Sequence, residues 1–189
     1  MKTLLILAFI GFNVAPSAAA LSVKIHQTNR FTQSDLNKLN LAVQMIGKVM
    51  NGVDFKNAVL NFSYQGAPGF VQNNGMSNQQ IYDFLMNGAE TLPEQTSADQ
   101  AMDLSLDIYK TKWYQRHNVL GYTSVTDPVI HMARWFYDEA SVSDIAMNLS
   151  HEWCHKMGFD HDFNPTDRRP FSVPYAIGYL VRDLGNELK

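Results

Sequence analysis

Three histidines, a glutamate and a glycine in residues 151–161 (HEWCHKMGFDH) have the spacing H-E-x-x-H-x-x-G-x-x-H. On a helix, His151 and His155 are one turn apart, so both imidazoles lie on one face and can bind the same metal ion. Gly158 can take the left-handed conformation that ends a helix, after which the chain can turn back and bring His161 to the metal. Three protein ligands leave the fourth tetrahedral position open, as in catalytic zinc sites. The spacing therefore predicts one bound Zn²⁺ ion.

Glu152 directly follows the first predicted ligand. Its carboxylate is placed to contact the zinc-bound water rather than zinc, which makes it the predicted general base. In peptide hydrolysis it would take a proton from this water and pass it to the leaving amine. The alternative, a helix with surface histidines, requires the matching residues to have arisen by chance. A cysteine-protease pair of Cys154 and His155 is a further alternative, but we expect a buried, unreactive thiol at Cys154.

The motif resembles that of the metzincin clan of zinc metallopeptidases, and Asp162 directly after the third histidine resembles the adamalysin branch of that clan. The resemblance implies an α+β fold with a twisted mixed sheet, an active-site helix beneath it and a small C-terminal subdomain that ends in a helix. It also implies an antiparallel edge strand that holds the substrate by main-chain hydrogen bonds. Residues 119–126 are the candidate, with Gly121 as a point of close ligand approach, and an ordinary strand is the alternative. Asp162 would fix the turn after the motif by hydrogen bonding to the backbone, or else be a solvated loop residue.

The chain is atypical of this clan in one respect. Metzincins carry a methionine in a tight turn beneath the zinc, downstream of the third histidine, whereas none of the nine methionines here comes after Met157. Residues 172–175 occupy about that place, so we expect Pro174 or Tyr175 to stand in for the methionine. A tyrosine near this turn assists the oxyanion in astacin-like and serralysin-like relatives. Tyr175 is therefore a candidate catalytic residue, with packing in the turn as the alternative.

The first twenty residues have the pattern of a secretory signal peptide, with a basic start, a short apolar run and small residues at 18–20. Cleavage after Ala20 would leave residues 21–189 as a single catalytic domain. We therefore expect a secreted or periplasmic protein with no membrane span after cleavage. The formal net charge of −3 and the lack of a basic run argue against nucleic acid as a partner. A single cysteine excludes an internal disulfide.

Hydrophobic periodicity and capping residues indicate the elements that position the motif. Strands are expected at 21–31, 53–64 and 102–113, with two more in 119–137 that join near Asp127. Helices are expected at 36–50, 77–87, 141–158 and 174–188. Capping boxes at Thr32 and Ser141 open two of these helices, and the second carries the motif.

These observations predict a secreted zinc-dependent endopeptidase that acts on a protein or peptide substrate and is a monomer. Two alternatives stay open. One is a zinc amidase that acts on cell-wall peptides, and the other is a zinc-containing binding module without turnover. The intact Glu152 favours an enzyme, because a binding module does not need the general base.

Overall fold

A computed structural model of the chain describes residues 20–90, 99–111 and 119–188. The predicted signal peptide, apart from Ala20, lies outside the described residues. The described ranges contain six α-helices and a four-stranded mixed sheet, a mixed α and β architecture that is compatible with the predicted α+β class. None of their helices is both long enough and apolar enough to cross a membrane.

The strands form one mixed sheet and one small hairpin. They are β1 (Ser22–Asn29), β2 (Ser63–Tyr64), β3 (Ala67–Pro68), β4 (Ala101–Tyr109), β5 (Gly121–Tyr122) and β6 (Ile130–Ala133). The mixed sheet has the order β1-β4-β6-β5, and the hairpin consists of β2 and β3. β1, β4 and β6 are parallel, whereas β5 runs antiparallel to β6 at the edge. The edge strand expected in 119–126 is therefore present over two residues.

The helices are α1 (Gln33–Met50), α2 (Val53–Leu60), α3 (Asn78–Asn87), α4 (Arg134–Glu139), α5 (Val142–Lys156) and α6 (Val173–Glu187). A 3₁₀ helix, Arg169–Phe171, precedes α6. The predicted capping boxes at Thr32 and Ser141 are confirmed, and Ser77 forms another at the start of α3. In each box the side chain accepts a bond from the third helical N–H, which would otherwise lack a partner.

Two sequence predictions of strands are wrong. Residues 53–60 form α2, because Phe55 and Val59 are four residues apart and both are fully buried on one helical face. The strand predicted up to residue 137 ends at Ala133, and α4 follows. An ion pair from Arg134 to Asp35, at 2.9 Å, attaches α4 to the start of α1. Such contacts between distant segments override local strand propensity.

The motif helix α5 is buried between the sheet and its neighbouring helices. Ile145, Leu149 and Trp153 form the predicted apolar stripe, and each is fully buried. On the α6 side, a methyl group added at Gly178 would lie 2.9 Å from the carbonyl oxygen of Met147 and 3.4 Å from Cβ of His151. The absence of a side chain at Gly178 thus lets α6 approach α5 at the turn that carries the first histidine.

Candidate metal centre

The structure brings the three motif histidines together. One ring nitrogen from each of His151, His155 and His161 lies within 4.8 Å of the other two. The Nε2 atoms of His151 and His155 are 3.3 Å apart. Two Zn–N bonds of about 2.0–2.1 Å at a tetrahedral angle would place their nitrogens about 3.3–3.4 Å apart. The pair of His151 and His155 therefore has the spacing that a tetrahedral zinc ion requires, and His161 lies close enough to complete the group.

The end of α5 explains how His161 reaches the other two histidines. Gly158 has a φ of +85°, the left-handed conformation predicted for it. Its N–H donates to the His155 carbonyl at 3.0 Å, and the Phe159 N–H donates to the Cys154 carbonyl at 3.1 Å. These two bonds make a Schellman motif, which satisfies the last carbonyls of the helix and reverses the chain. His161 then lies three residues beyond the glycine.

Backbone carbonyls orient two of the histidine rings. Nδ1 of His155 is 2.8 Å from the carbonyl oxygen of Phe159, and Nδ1 of His161 is 3.1 Å from that of Asp162. A carbonyl oxygen can only accept a hydrogen bond, so each Nδ1 carries the proton. The lone pair is thereby left on Nε2, the atom that would face a metal.

Residues 172–175 lie against the first histidine. The carbonyl of Pro174 accepts a hydrogen bond from the His151 side chain. The ring centroid of Tyr175 lies 4.4 Å from that of His151 and 4.8 Å from that of His161. Both residues suggested as replacements for the missing methionine therefore contact the triad, Pro174 through its carbonyl and Tyr175 through its ring.

Burial lowers the pKa of all three histidines. The effect is largest at His151, whose pKa lies well below its ordinary value, and mutual repulsion within the triad adds to it. The neutral imidazole, which is the form that binds a metal, is therefore favoured before any ion is bound.

Glu152 is buried beside the triad, with 4% of its surface exposed. Burial raises the pKa of its carboxyl group to about 8, although a hydrogen bond from Asn148 works in the opposite direction. The Asn148 side-chain amide donates this bond to Oε1 at 3.4 Å. Sequence analysis missed Asn148, although its place one helical turn before Glu152 was a usable signal.

Gly121 accommodates this asparagine. A methyl group added there would lie 2.8 Å from Oδ1 of Asn148. Gly121 also lines the cleft above the triad, so its close approach to a ligand backbone stays a prediction. β5 thus packs directly onto the helix that carries the predicted base.

A cleft of about 1010 Å³ opens over the triad and Glu152. One wall consists of residues 119–125, which contain β5 and expose the apolar side chains of Val119, Tyr122 and Val125. The opposing lining comes from the segment after the motif, including Phe163, and from the first turns of α6. The cleft thus combines an apolar strand edge with the polar triad.

Sequence analysis missed Gln72 and Asn74, whose side chains hydrogen-bond to the turn that ends the motif. The Asn74 side-chain amide donates to the carbonyl of Gly158 at 3.0 Å, and that of Gln72 donates to the carboxylate of Asp162 at 3.0 Å. Asp162 also accepts a bond from the hydroxyl of Thr166. The Asp162 carboxylate therefore holds the turn through side chains, rather than through the backbone as expected.

Lys156 is a second missed residue, and it is fully buried at the end of α5. Its Nζ donates to the carbonyls of Asp127 and Pro128, at 3.2 and 2.9 Å. This attaches the motif helix to the loop between β5 and β6. A sequence signal for the burial of Lys156 existed. The residue lies three positions after Trp153 and so continues the buried stripe of α5.

Two histidines outside the motif, His26 and His131, pair with aspartates and are not part of the triad. His26 contacts Asp103 at 2.5 Å and His131 contacts Asp107 at 3.1 Å. Within the described ranges, the triad is the only group of three or more side chains close enough to share a metal ion. Cys154 is fully buried and burial raises the pKa of its thiol, as expected for an unreactive, packed cysteine.

The metzincin resemblance depends on the eleven residues of the motif and on Asp162 after it. The family therefore stays a prediction from these residues, since the chain matches no protein-family model, no curated protein and no solved structure.

Proposed function

We propose that this chain is a secreted or periplasmic zinc-dependent endopeptidase of metzincin type. The observation that carries the proposal is the convergence of three imidazoles beside one buried carboxylate. His151, His155 and His161 offer nitrogens within 4.8 Å of one another, and Glu152 is the next residue along α5.

The donor set fits zinc better than other common ions. Imidazole nitrogens suit zinc, whereas calcium and magnesium prefer oxygen ligands. The carbonyls of Phe159 and Asp162 orient the rings of His155 and His161, as the outer partners of zinc-binding histidines do. The three histidines would hold the ion and leave its remaining position directed at the cleft.

When bound, zinc supplies a Lewis acid that polarises the scissile carbonyl and acidifies water. Glu152 accepts the proton that the attacking water loses and later delivers it to the departing amine. A nearby dication favours the ionised carboxylate and so opposes the effect of burial on the Glu152 pKa. Asn148 holds the carboxylate in place through its amide.

The cleft walls suggest how a peptide would be held. Within the described residues, β5 is an edge strand that pairs with β6 alone, and both of its residues line the cleft. An extended peptide could add to this edge as a further strand, with main-chain hydrogen bonds to residues 119–125. The hydroxyl group of Tyr175 would then donate to the oxygen that becomes negative during attack.

The arrangement of the sheet and helices is compatible with a metzincin-type peptidase. A mixed sheet ends in an antiparallel edge strand, the motif lies on a buried helix, and the segment after the motif ends in a helix. The metzincin-type arrangement of these layers is part of the proposal.

A digest of a proteome-derived peptide library tests the proposal directly. The expected result is cleavage by wild-type protein, its loss with a zinc chelator and its recovery on adding zinc. Glu152→Gln should lower kcat/KM by about 10²–10⁴-fold while zinc binding persists. Glu187→Gln, on an exposed part of α6, is the matched control and should retain full activity.

Full activity of the zinc-loaded Glu152→Gln protein would contradict the proposal. Parallel reactions with peptidoglycan fragments separate the alternatives. Cleavage of these fragments alone would indicate a zinc amidase, and tight peptide binding without any turnover would indicate a binding module.

A further inference from the structure

Arg169 brings a positive charge to the cleft. Among the described residues that line the cleft, it is the only lysine or arginine. Its guanidinium carbon lies 4.9 Å from the ring centroid of Tyr175, which in turn contacts His151 and His161. Arg169 is therefore a component of the cleft rather than of the outer surface.

The guanidinium is only partly satisfied by its neighbours. One terminal nitrogen donates to the Phe163 carbonyl at 3.3 Å, and the side chain also hydrogen-bonds to Tyr175. Nε is buried and has no hydrogen-bond partner. A buried N–H without an acceptor is costly, so the guanidinium keeps donor capacity that these neighbours do not use.

No acidic side chain among the described residues uses that donor capacity. No carboxylate in the described ranges lies within ion-pair distance of Arg169, although Arg30, Arg134 and Arg182 each pair with an aspartate. Of the two acids that line the cleft, Glu152 is held by Asn148, and Asp160 accepts a bond from the His161 N–H. Arg169 thus has no ion-pair partner among the described residues.

We propose that Arg169 binds a carboxylate of the substrate, so that peptides with an acidic group close to the cleaved bond are preferred. The planar guanidinium suits this ligand, because its parallel N–H groups match the two oxygens of a carboxylate. The carboxylate comes either from an acidic side chain or from the free C terminus of a short peptide. This inference rests on the proposed peptidase function and names its substrate class.

Peptide binding to a zinc-loaded Glu152→Gln protein tests the inference without turnover. The probes are alanine-based, N-acetylated hexapeptides in three forms. The first carries one glutamate, placed at each position in turn, and an amidated C terminus. The second replaces the glutamate with glutamine, and the third is this glutamine peptide with a free C-terminal carboxylate. Titration calorimetry gives the Kd of each, and the first and third forms distinguish the two sources of the carboxylate.

We expect Arg169→Gln to weaken binding of at least one carboxylate peptide by about tenfold or more, and to leave the neutral peptide unchanged. Arg169→Lys should retain part of the preference, because it keeps the charge but loses the planar pair of donors. Arg168→Gln is the matched control, since Arg168 is the exposed neighbour and does not line the cleft. It should bind all three forms like the parent protein. Thermal unfolding of each variant checks that it is folded.

Equal affinity of the parent and Arg169→Gln proteins for both carboxylate forms would overturn the inference. A failure of the proposed peptidase function can be distinguished from a failure of this inference. If the carboxylate preference depends on Arg169 but wild-type protein cleaves no peptide, the function is wrong and the binding role stands. If wild-type protein cleaves neutral and acidic peptides equally well and Arg169→Gln changes neither binding nor cleavage, only the role of Arg169 is wrong.

Discussion

The side-chain amide of Gln72 donates a hydrogen bond to the carboxylate of Asp162 across 3.0 Å, although 90 residues separate the two in sequence. Asp162 directly follows His161, and its carbonyl orients that ring. Gln72 itself has a φ of +54°, an unfavourable backbone conformation for a residue with a side chain. The segment around Gln72 thus holds the loop that delivers the third histidine.

Gln72→Ala should weaken zinc binding, because the loop after His161 loses a tether that sets the position of a ligand. Outer partners of zinc ligands commonly contribute about 10–100-fold in affinity, and we expect a loss near the lower value. Competition with a chromophoric chelator measures the change. Gln79→Ala is the control, since Gln79 bonds only to Asp83 on the exposed face of α3. Equal zinc affinity of wild-type and Gln72→Ala proteins would show that the hydrogen bond from Gln72 to Asp162 does not position the third histidine.

Gly178→Ala should destabilise the protein and disturb the first ligand. The added methyl group would lie 2.9 Å from the Met147 carbonyl oxygen, so α6 must move away from α5. Overpacking of this kind costs about 1–3 kcal/mol, measurable by urea denaturation. Zinc affinity should fall as well, because Pro174 and Tyr175 move with α6.

Gly47→Ala is the control for Gly178→Ala and should change the stability of the protein in the opposite direction. Gly47 lies within α1, and a methyl group there would meet no atom within 4 Å. Alanine should therefore raise the free energy of unfolding by about 0.5–1 kcal/mol, since it loses less backbone entropy than glycine on folding. If both substitutions changed stability equally, the close contact between α5 and α6 would not be important.

Asp107 should make stability depend on pH in the acid range. Burial alone would raise the pKa of this carboxyl group, but hydrogen bonds from Arg30 and His131 outweigh it and hold the pKa below its ordinary value. A group whose pKa is lower in the folded state stabilises the fold above its unfolded pKa, near 4. This contribution is lost as the pH falls through the folded pKa.

The free energy of unfolding of wild-type protein should therefore decrease more steeply below about pH 4 than that of Asp107→Asn. Asp54→Asn is the control, because Asp54 is exposed in the first turn of α2. Its acid profile should follow that of the wild type. Parallel profiles for wild-type and Asp107→Asn proteins would show that the ion pairs of Asp107 do not contribute.

Local signals were sufficient to predict much of the candidate site. The spacing of residues 151–161, the capping box at Ser141 and the left-handed Gly158 involve only neighbours in sequence, so they could be interpreted without a fold. The proximity of Tyr175 was predicted from family resemblance, and the structure places its ring on His151 and His161.

The missed features depend on contacts between distant segments. α2 was predicted as a strand, because the spacing of its apolar residues is compatible with either a strand or a helix. Only the burial of Phe55 and Val59 in the core distinguishes the two. Gln72 and Arg169 carry no local motif, and their importance arises only when the chain brings them to the triad. The sequence likewise gives no signal for Gly178. A glycine is needed there because the backbone of the neighbouring helix α5 leaves no room for a side chain.

The zinc content of the purified protein tests the central claim most directly. Wild-type protein, dialysed against metal-free buffer and analysed by inductively coupled plasma mass spectrometry, should contain about one zinc ion per chain. A variant with His151→Ala and His155→Ala should contain almost none, while His26→Ala, outside the triad, should match the wild type. Wild-type protein that is folded but holds no zinc, even after incubation with the ion, would contradict the account.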